Sequence, residues 1–187
     1  MRIITGSKRG KKLAALEGEA VRPTTDRVKE SLFNILQFQL EGRRFLDLFA
    51  GSGQIGLEAL SRGAAKAVFV DASRDSIRVV EKNVKACGMT DQAQIVCADF
   101  AAFLRGNREK FDIAFLDPPF REGLLPRALA LTAEAMNPGG VVVCEHPKEV
   151  ELPEEAGNFR RDKVYRYGKI MLTAYRARQA LEAGAEG

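Results

Sequence analysis

The chain has 187 residues, 45% hydrophobic and 29% charged, with a formal net charge of +4. That length and balance suit one globular domain with an ordinary core. No run of eighteen apolar residues could span a bilayer, and the start "MRIITGSKRGKKL" has no signal-peptide core, which argues for the cytoplasm.

Residues 2 to 16 read as a short hairpin, with "RIITG" and "KKLAAL" flanking the turn-like "SKRG". Thr24, Thr25 and Asp26 are candidate caps for a helix over 26–40, where Val28, Leu32, Ile35 and Leu36 recur at helical spacing. From residue 44 the pattern becomes strand, then helix, repeatedly. Strands are expected at 44–49, 67–71, 93–97, 111–117 and 140–145, and helices near 54–62, 74–87, 99–105 and 122–136. Gly63 and Gly88 stop two of the helices, and Pro138-Gly139-Gly140 follows the last. Apolar strands alternating with helices imply a parallel sheet covered on both faces. "FRRDKVYRYGKIMLTAYR" adds two antiparallel strands that turn at Tyr167-Gly168, giving seven strands in all. Residues 179–187 have no core pattern and read as a frayed tail.

Charge is unevenly placed. Residues 1–44 hold ten Lys/Arg against five Asp/Glu, whereas the remainder holds nineteen against twenty. Arg2, Lys8, Arg9, Lys11 and Lys12 stand together without an acid. Seven cations at 159–178, Arg166 and Lys169 among them, face Asp162 alone. Two such patches suit a polyanion partner, or simply a solvated surface.

"FLDLFAGSGQIGLEAL" sets Gly51, Gly53 and Gly56 after a strand and into a helix. By itself this pattern serves a dinucleotide, another nucleoside-bearing ligand, or a tight turn. Asp47, Asp71, Asp99 and Asp117 fall in or just beyond four successive strands. Ligands of open parallel sheets bind beyond the carboxyl ends of the strands, so four carboxylates are expected around one crevice. They would repel a pyrophosphate and attract a sulfonium ligand bearing an amino group, as S-adenosyl-L-methionine (SAM) does. Asp71 has the spacing of an acid that accepts from ribose hydroxyls, a role shared with NAD sites.

In "FDIAFLDPPFREG", the Asp117 side chain and the Pro118 carbonyl offer two acceptors for the two hydrogens of an exocyclic amine. Pro118 and Pro119 fix the backbone that aims them. Phe120 offers a stacking platform for a base, which must be unpaired or flipped out to enter. Glu58, on the first glycine-loop helix, reads as a solvated or paired surface residue. Cys87, Cys97 and Cys144 form no CxxC pair, fit a reducing compartment, and are expected to be buried thiols. With His146 as the one histidine they lack metal-ligand spacing. His146 is assigned to local structure. An NAD-dependent oxidoreductase and a non-catalytic RNA-binding assembly protein remain competing readings. The first leaves DPPF idle, and the second leaves the carboxylates unexplained.

"LDLFAGSG", "VFVDAS", "CADF" and "LDPPF" resemble the motifs of Rossmann-like class I SAM-dependent methyltransferases acting on exocyclic amines. "MRIITGSKRGKKL", "VRPTTDRVKESLFNIL", "DLFAGSGQIGLEALSRGA" and "YRYGKIMLTAYR" narrow this. They resemble the bacterial 16S rRNA guanine-N2 methyltransferases of the RsmD family, over residues 1 to about 176. The resemblance implies SAM as cofactor and guanine 966 of 16S rRNA as target, in the small subunit or its late assembly intermediate. Adenine N6, in RNA or DNA, is the alternative amine. It also implies that Asp47, Phe49, Gly51, Gly53, Asp71, Ala72, Asp99 and Phe100 bind the cofactor. Asp117, Pro118 and Phe120 would hold the target base, and Lys8, Arg9, Lys11, Lys12, Arg22, Arg166 and Lys169 would meet RNA. Arg22 and Thr24 are expected in a loop that closes over the site. The implied organisation is a basic hairpin and helix at 1–40 packed on a methyltransferase domain at 41–178, with a tail at 179–187, acting as a monomer.

Overall fold

The computed structural model describes residues 1–16, 26–119 and 123–178. Phe120, Arg22, Thr24, Thr25 and the 179–187 stretch lie outside them. The chain divides into two compact units, Met1–Phe100 and Ala101–Gly187.

The first unit holds α1 (Asp26–Ile35), β1 (Arg44–Leu48), α2 (Gln54–Ser61), β2 (Lys66–Asp71), α3 (Arg74–Cys87), a 3-10 turn at Thr90–Gln92 and β3 (Ala93–Cys97). The strands run parallel in the order β3-β2-β1, with Leu48 beside Val70 and Asp71 beside Cys97. Their carboxyl ends therefore share one edge, so that residues 49–53, 71–73 and 98–99 gather there. Strands covered on both faces need apolar side chains on both, and Phe45, Leu46, Leu48, Ala67, Val68, Phe69 and Val70 are all buried. On α3 the apolar stripe of Ile77, Val80, Val84 and Cys87 is buried, and the helix is bounded as sequence predicts. Ser73 Oγ accepts Ser76 N at its start, and Gly88 (φ 64°) closes it in the left-handed form.

α2 is different, because all eight of its residues are buried. A helix buried all round needs cover on its outer side as well, and the amino-terminal segment supplies it. Ile3 and Leu13 are buried, and Gly6 packs so closely on Ser61 that a Cβ there would lie 1.8 Å from the Ser61 carbonyl oxygen. The expected hairpin is reduced to one antiparallel bridge, Arg2 to Lys12; Ile3 N, Gly10 N and Leu13 N still donate within the segment, while Ile4 N, Thr5 N, Ser7 N and Lys8 N turn to α2. α1 stops at Ile35, short of the expected residue 40, and the chain turns at Phe38, left-handed (φ 67°) and 98% exposed.

α4 (Phe100–Gly106) follows β3. The second unit contains β4 (Phe111–Leu116), α5 (Leu124–Glu134), β5 (Met136–Pro147), β6 (Glu155–Ala156), β7 (Phe159–Tyr167) and β8 (Ile170–Ala177). Its strands are ordered β4-β5-β8-β7-β6; β4 and β5 are parallel and the remaining pairs antiparallel. The α/β class and the antiparallel addition stand as expected, and the two-residue β6 brings the described strands to eight rather than seven. β5 begins four residues earlier than expected. Pro138-Gly139-Gly140 lies within it, where the register against β4 shifts. Gly140 is needed there, since a Cβ would stand 2.9 Å from the Asp112 carbonyl oxygen. Among the described residues no helix is long and apolar enough to cross a membrane.

Candidate active site

At the end of β1 the chain doubles back on β2. Phe49 and Ala50 both donate their amides to the Val70 carbonyl at 2.9 Å, and Gly53 N closes a turn on Ala50 O at 2.7 Å. Gly51 (φ 55°) and Gly53 (φ 76°) are left-handed, as is Phe49 at φ 73°. A left-handed phenylalanine is uncommon, and such strain concentrates at functional loops. The three glycines do different work. A Cβ at Gly51 would meet nothing within 4 Å, so its face is open. A Cβ on Gly56 would sit 2.3 Å from the Phe69 ring, so that glycine lets α2 press on β2.

Asp71 fastens this loop from the next strand. Its Oδ2 accepts Gly51 N at 2.9 Å and its Oδ1 accepts Ser73 N at 2.8 Å. A carboxylate has about four acceptor positions, so the half-buried Asp71 keeps capacity for a ligand hydroxyl. Asp47 is turned inward and is 2% exposed; its Oδ2 accepts Gly56 N at 2.8 Å in the first turn of α2. Burial pushes its carboxyl up to about 7, with the charge of Asp71 adding to the rise and the Gly56 hydrogen bond opposing it. Phe49 and Phe100 meet with ring centroids 5.3 Å apart, which joins the end of β1 to the start of α4. Ala72 and Asp99 are exposed beside them. The structure thus brings Phe49, Gly51, Gly53, Asp71, Ala72, Asp99 and Phe100 to one edge of the first unit, with Asp47 beneath the loop.

Lys8 is half-buried, while Arg9, Lys11 and Lys12 are exposed on the amino-terminal segment. What anchors this segment is not legible as a motif. Glu58 lies on α2 and is fully buried, which corrects its assignment to the surface. Its Oε2 accepts Ile4 N at 2.8 Å, and its Oε1 accepts Thr5 N and Arg62 Nε, each at 2.9 Å. Lys29 of α1, also fully buried, lies 3.7 Å from Glu58 and donates to Arg2 O at 2.6 Å. Ser61 Oγ donates to Thr5 O and accepts Lys8 N. Asn83 of α3 binds both backbone groups of Ala14 and the carbonyl of Ser52. Sequence reasoning missed Lys29, Ser61 and Asn83. A lone acid in the largely apolar "QIGLEALS" was the one signal, and it pointed to Glu58 alone.

In the second unit, β4 ends at Leu116 and delivers Asp117 half-buried, followed by buried Pro118 and exposed Pro119. Arg166 and Lys169 are exposed at the β7–β8 turn. His146 is buried, and its Nε2 pairs with Thr173 Oγ1 at 2.8 Å. Desolvation lowers its pKa, which favours the neutral ring. Cys87 and Cys144 are buried as expected, but Cys97 is exposed, because β3 is an edge strand of the β3-β2-β1 order. A cavity of about 590 Å³ in the second unit, between Lys110, Phe159 and Arg178, includes none of the residues assigned from sequence to cofactor, target base or RNA. Among the described residues no cluster of His, Cys, Asp or Glu could hold a metal.

A family model described as conserved hypothetical protein 95 matches residues 1–176. Ribosomal RNA small subunit methyltransferase D of Escherichia coli K12 is 36% identical over 190 aligned residues, covering 100% of this chain and 94% of that protein. A solved hypothetical protein of Thermus thermophilus, TTHA0928, superposes with a TM-score of 0.81 at 33% identity, over 95% of this chain and 99% of that one. The T. thermophilus 16S rRNA N2 G1207 methyltransferase, solved with AdoMet and guanosine, shares the fold with a TM-score of 0.69 at 24% identity, over 88% of this chain and 49% of that one.

Proposed function

The chain belongs to the RsmD family of rRNA methyltransferases, and from that premise we propose that it methylates the exocyclic N2 amine of a guanine in 16S rRNA, with SAM as methyl donor. By family resemblance the position is guanine 966, in the small subunit or a late assembly intermediate, and the enzyme acts as a monomer. The observation that carries the cofactor assignment is the Asp71 carboxylate, locked between Gly51 N and Ser73 N beside the open face of Gly51. An anchored acceptor there suits a ribose, and the acidic surroundings of Asp71 and Asp99 suit a cationic ligand rather than a pyrophosphate. The Phe49–Phe100 pair and Asp99 would meet the adenine. Bound there, SAM supplies an electrophilic methyl on a sulfonium centre.

The remaining work is positioning. Asp117 Oδ and the Pro118 carbonyl accept the two hydrogens of the target amine, and the fixed φ of Pro118 and Pro119 holds that carbonyl in direction. Phe120 stacks on the extruded base, worth about 1–3 kcal/mol. Once methylated, the nitrogen is cationic and acidic, and Asp117 or water takes its proton. Orientation is the main source of rate. Lys8, Arg9, Lys11, Lys12, Arg166 and Lys169 meet phosphates.

The test incubates the protein with tritiated SAM and small subunits lacking the modification, then maps the labelled nucleoside by mass. N2-methylguanosine is expected, and label on adenine would refute the choice of base. Asp117→Ala should abolish transfer while calorimetry still records SAM binding; loss of both together would refute the role given to Asp117.

A further inference from the structure

We propose that Asn83 is a positioning residue that makes cofactor affinity depend on whether the basic amino-terminal segment holds RNA; the proposal rests on the SAM and rRNA reading above. Asn83 is 1% exposed on the buried side of α3. Its Oδ1 accepts Ala14 N at 2.8 Å, and its Nδ2 donates to Ala14 O at 3.0 Å and to Ser52 O at 2.9 Å. Both amide hydrogens and an acceptor position are thus spent on two backbone segments. Ala14 closes the segment that carries Arg2, Lys8, Arg9, Lys11 and Lys12. Ser52 stands between Gly51, whose amide Asp71 holds, and Gly53. A second tie runs from Ser52 Oγ to Met1 Sδ at 3.2 Å.

One planar amide therefore clasps the phosphate-binding segment and the glycine loop together. If Ala14 shifts, the amide turns with it and Nδ2 leaves the Ser52 carbonyl. If phosphates hold the segment still, the clasp is held and the loop is ordered before the cofactor arrives. Ordering already done by one ligand need not be repeated by the second, which is positive coupling without a large rearrangement. By linkage the effect is reciprocal: the cofactor tightens RNA by the same factor.

The test titrates S-adenosylhomocysteine, which prevents turnover, into the full chain by calorimetry, with and without a saturating small-subunit rRNA transcript. In the wild type, RNA should tighten binding about fivefold or more, the low end of ordinary coupling. Asn83→Leu keeps the branched outline of the side chain, though it is bulkier, and removes all three hydrogen bonds. The ratio should fall to within about twofold of unity while each ligand still binds alone. An unchanged ratio in N83L, or a wild-type ratio of one, overturns the proposal. No cofactor heat at all in the wild type sinks the underlying reading and this inference with it. Should N83L not fold, hydrogen exchange on the wild type decides. RNA alone should slow the Gly51 and Gly53 amides about fivefold or more, and unchanged exchange overturns the coupling.

Discussion

Replacing Glu58 by Gln tests the anchoring of the amino-terminal segment. The carboxylate uses both oxygens on backbone donors, Oε2 on Ile4 N and Oε1 on Thr5 N. Glutamine has one oxygen, so its NH2 must face one of these N–H groups. A buried donor left without an acceptor costs about 1–3 kcal/mol. Lys29, fully buried, also loses the carboxylate 3.7 Å away, and breaking a buried ion pair costs about 3–5 kcal/mol. The two costs overlap, and Asp26 at 3.9 Å remains as a partial partner, so about 3–5 kcal/mol is expected in total. Urea unfolding at pH 7 measures it directly. At about 2–4 °C per kcal/mol for a chain of this size, the melting temperature should fall by about 6–20 °C. Burial already lowers the pKa of Lys29, with Glu58 opposing. Without Glu58 it falls further. Where the native lysine is neutral and the unfolded one still charged, the unfolded state binds more protons, so stability rises with pH. The deficit of E58Q should therefore narrow towards pH 10. Combining E58Q with Lys29→Met should recover part of the loss, because no lone buried charge remains. A deficit below about 1 kcal/mol at pH 7 refutes the reasoning, as do E58Q and K29M effects that simply add.

Asp47→Asn keeps an acceptor for Gly56 N and removes a titration. The native carboxyl is raised to about 7 from 3.8, so its stabilising contribution is complete below about pH 4 and is lost as pH rises through 7. At about 1.4 kcal/mol per unit, wild-type stability should drop by up to about 4 kcal/mol more than that of D47N between pH 4 and 8; parallel profiles by urea unfolding refute it. Gly56→Ala drives a Cβ to within 2.3 Å of the Phe69 ring and should cost about 1–3 kcal/mol by overpacking. Adding Phe69→Leu should restore part of that in thermal melts, and no rescue would place the strain elsewhere.

The strand–helix alternation is legible because strands buried on both faces leave continuous apolar runs. β3 and α3 have the bounds that sequence predicts, α3 because a serine cap and a left-handed glycine punctuate it. The early start of β5 is illegible because "PGG" reads as a stop. The glycine that permits backbone to approach backbone at Asp112 has no side chain to show a period. Asp71 could be found by its spacing from the glycines, but not the pair of amides it holds. Glu58 and Asn83 escape sequence reasoning for one reason. Their partners are mainly backbone groups 31 to 69 residues away, and a peptide N–H has no signature. A glutamate within a helix reads as solvated until the cover over that helix is known.

The grip on the amino-terminal segment also sets an order of events during synthesis. Ile4 and Thr5 wait for Glu58, 54 and 53 residues downstream, and Ala14 waits for Asn83, 69 residues downstream. A ribosome adding about 5–20 residues per second needs about 3–14 s to cross that last gap. This basic stretch thus precedes its anchors in synthesis, and its grip is complete only after α3 has been made. For those seconds Arg2, Lys8, Arg9, Lys11 and Lys12 are an unanchored polycation beside the RNA of the ribosome that is making them.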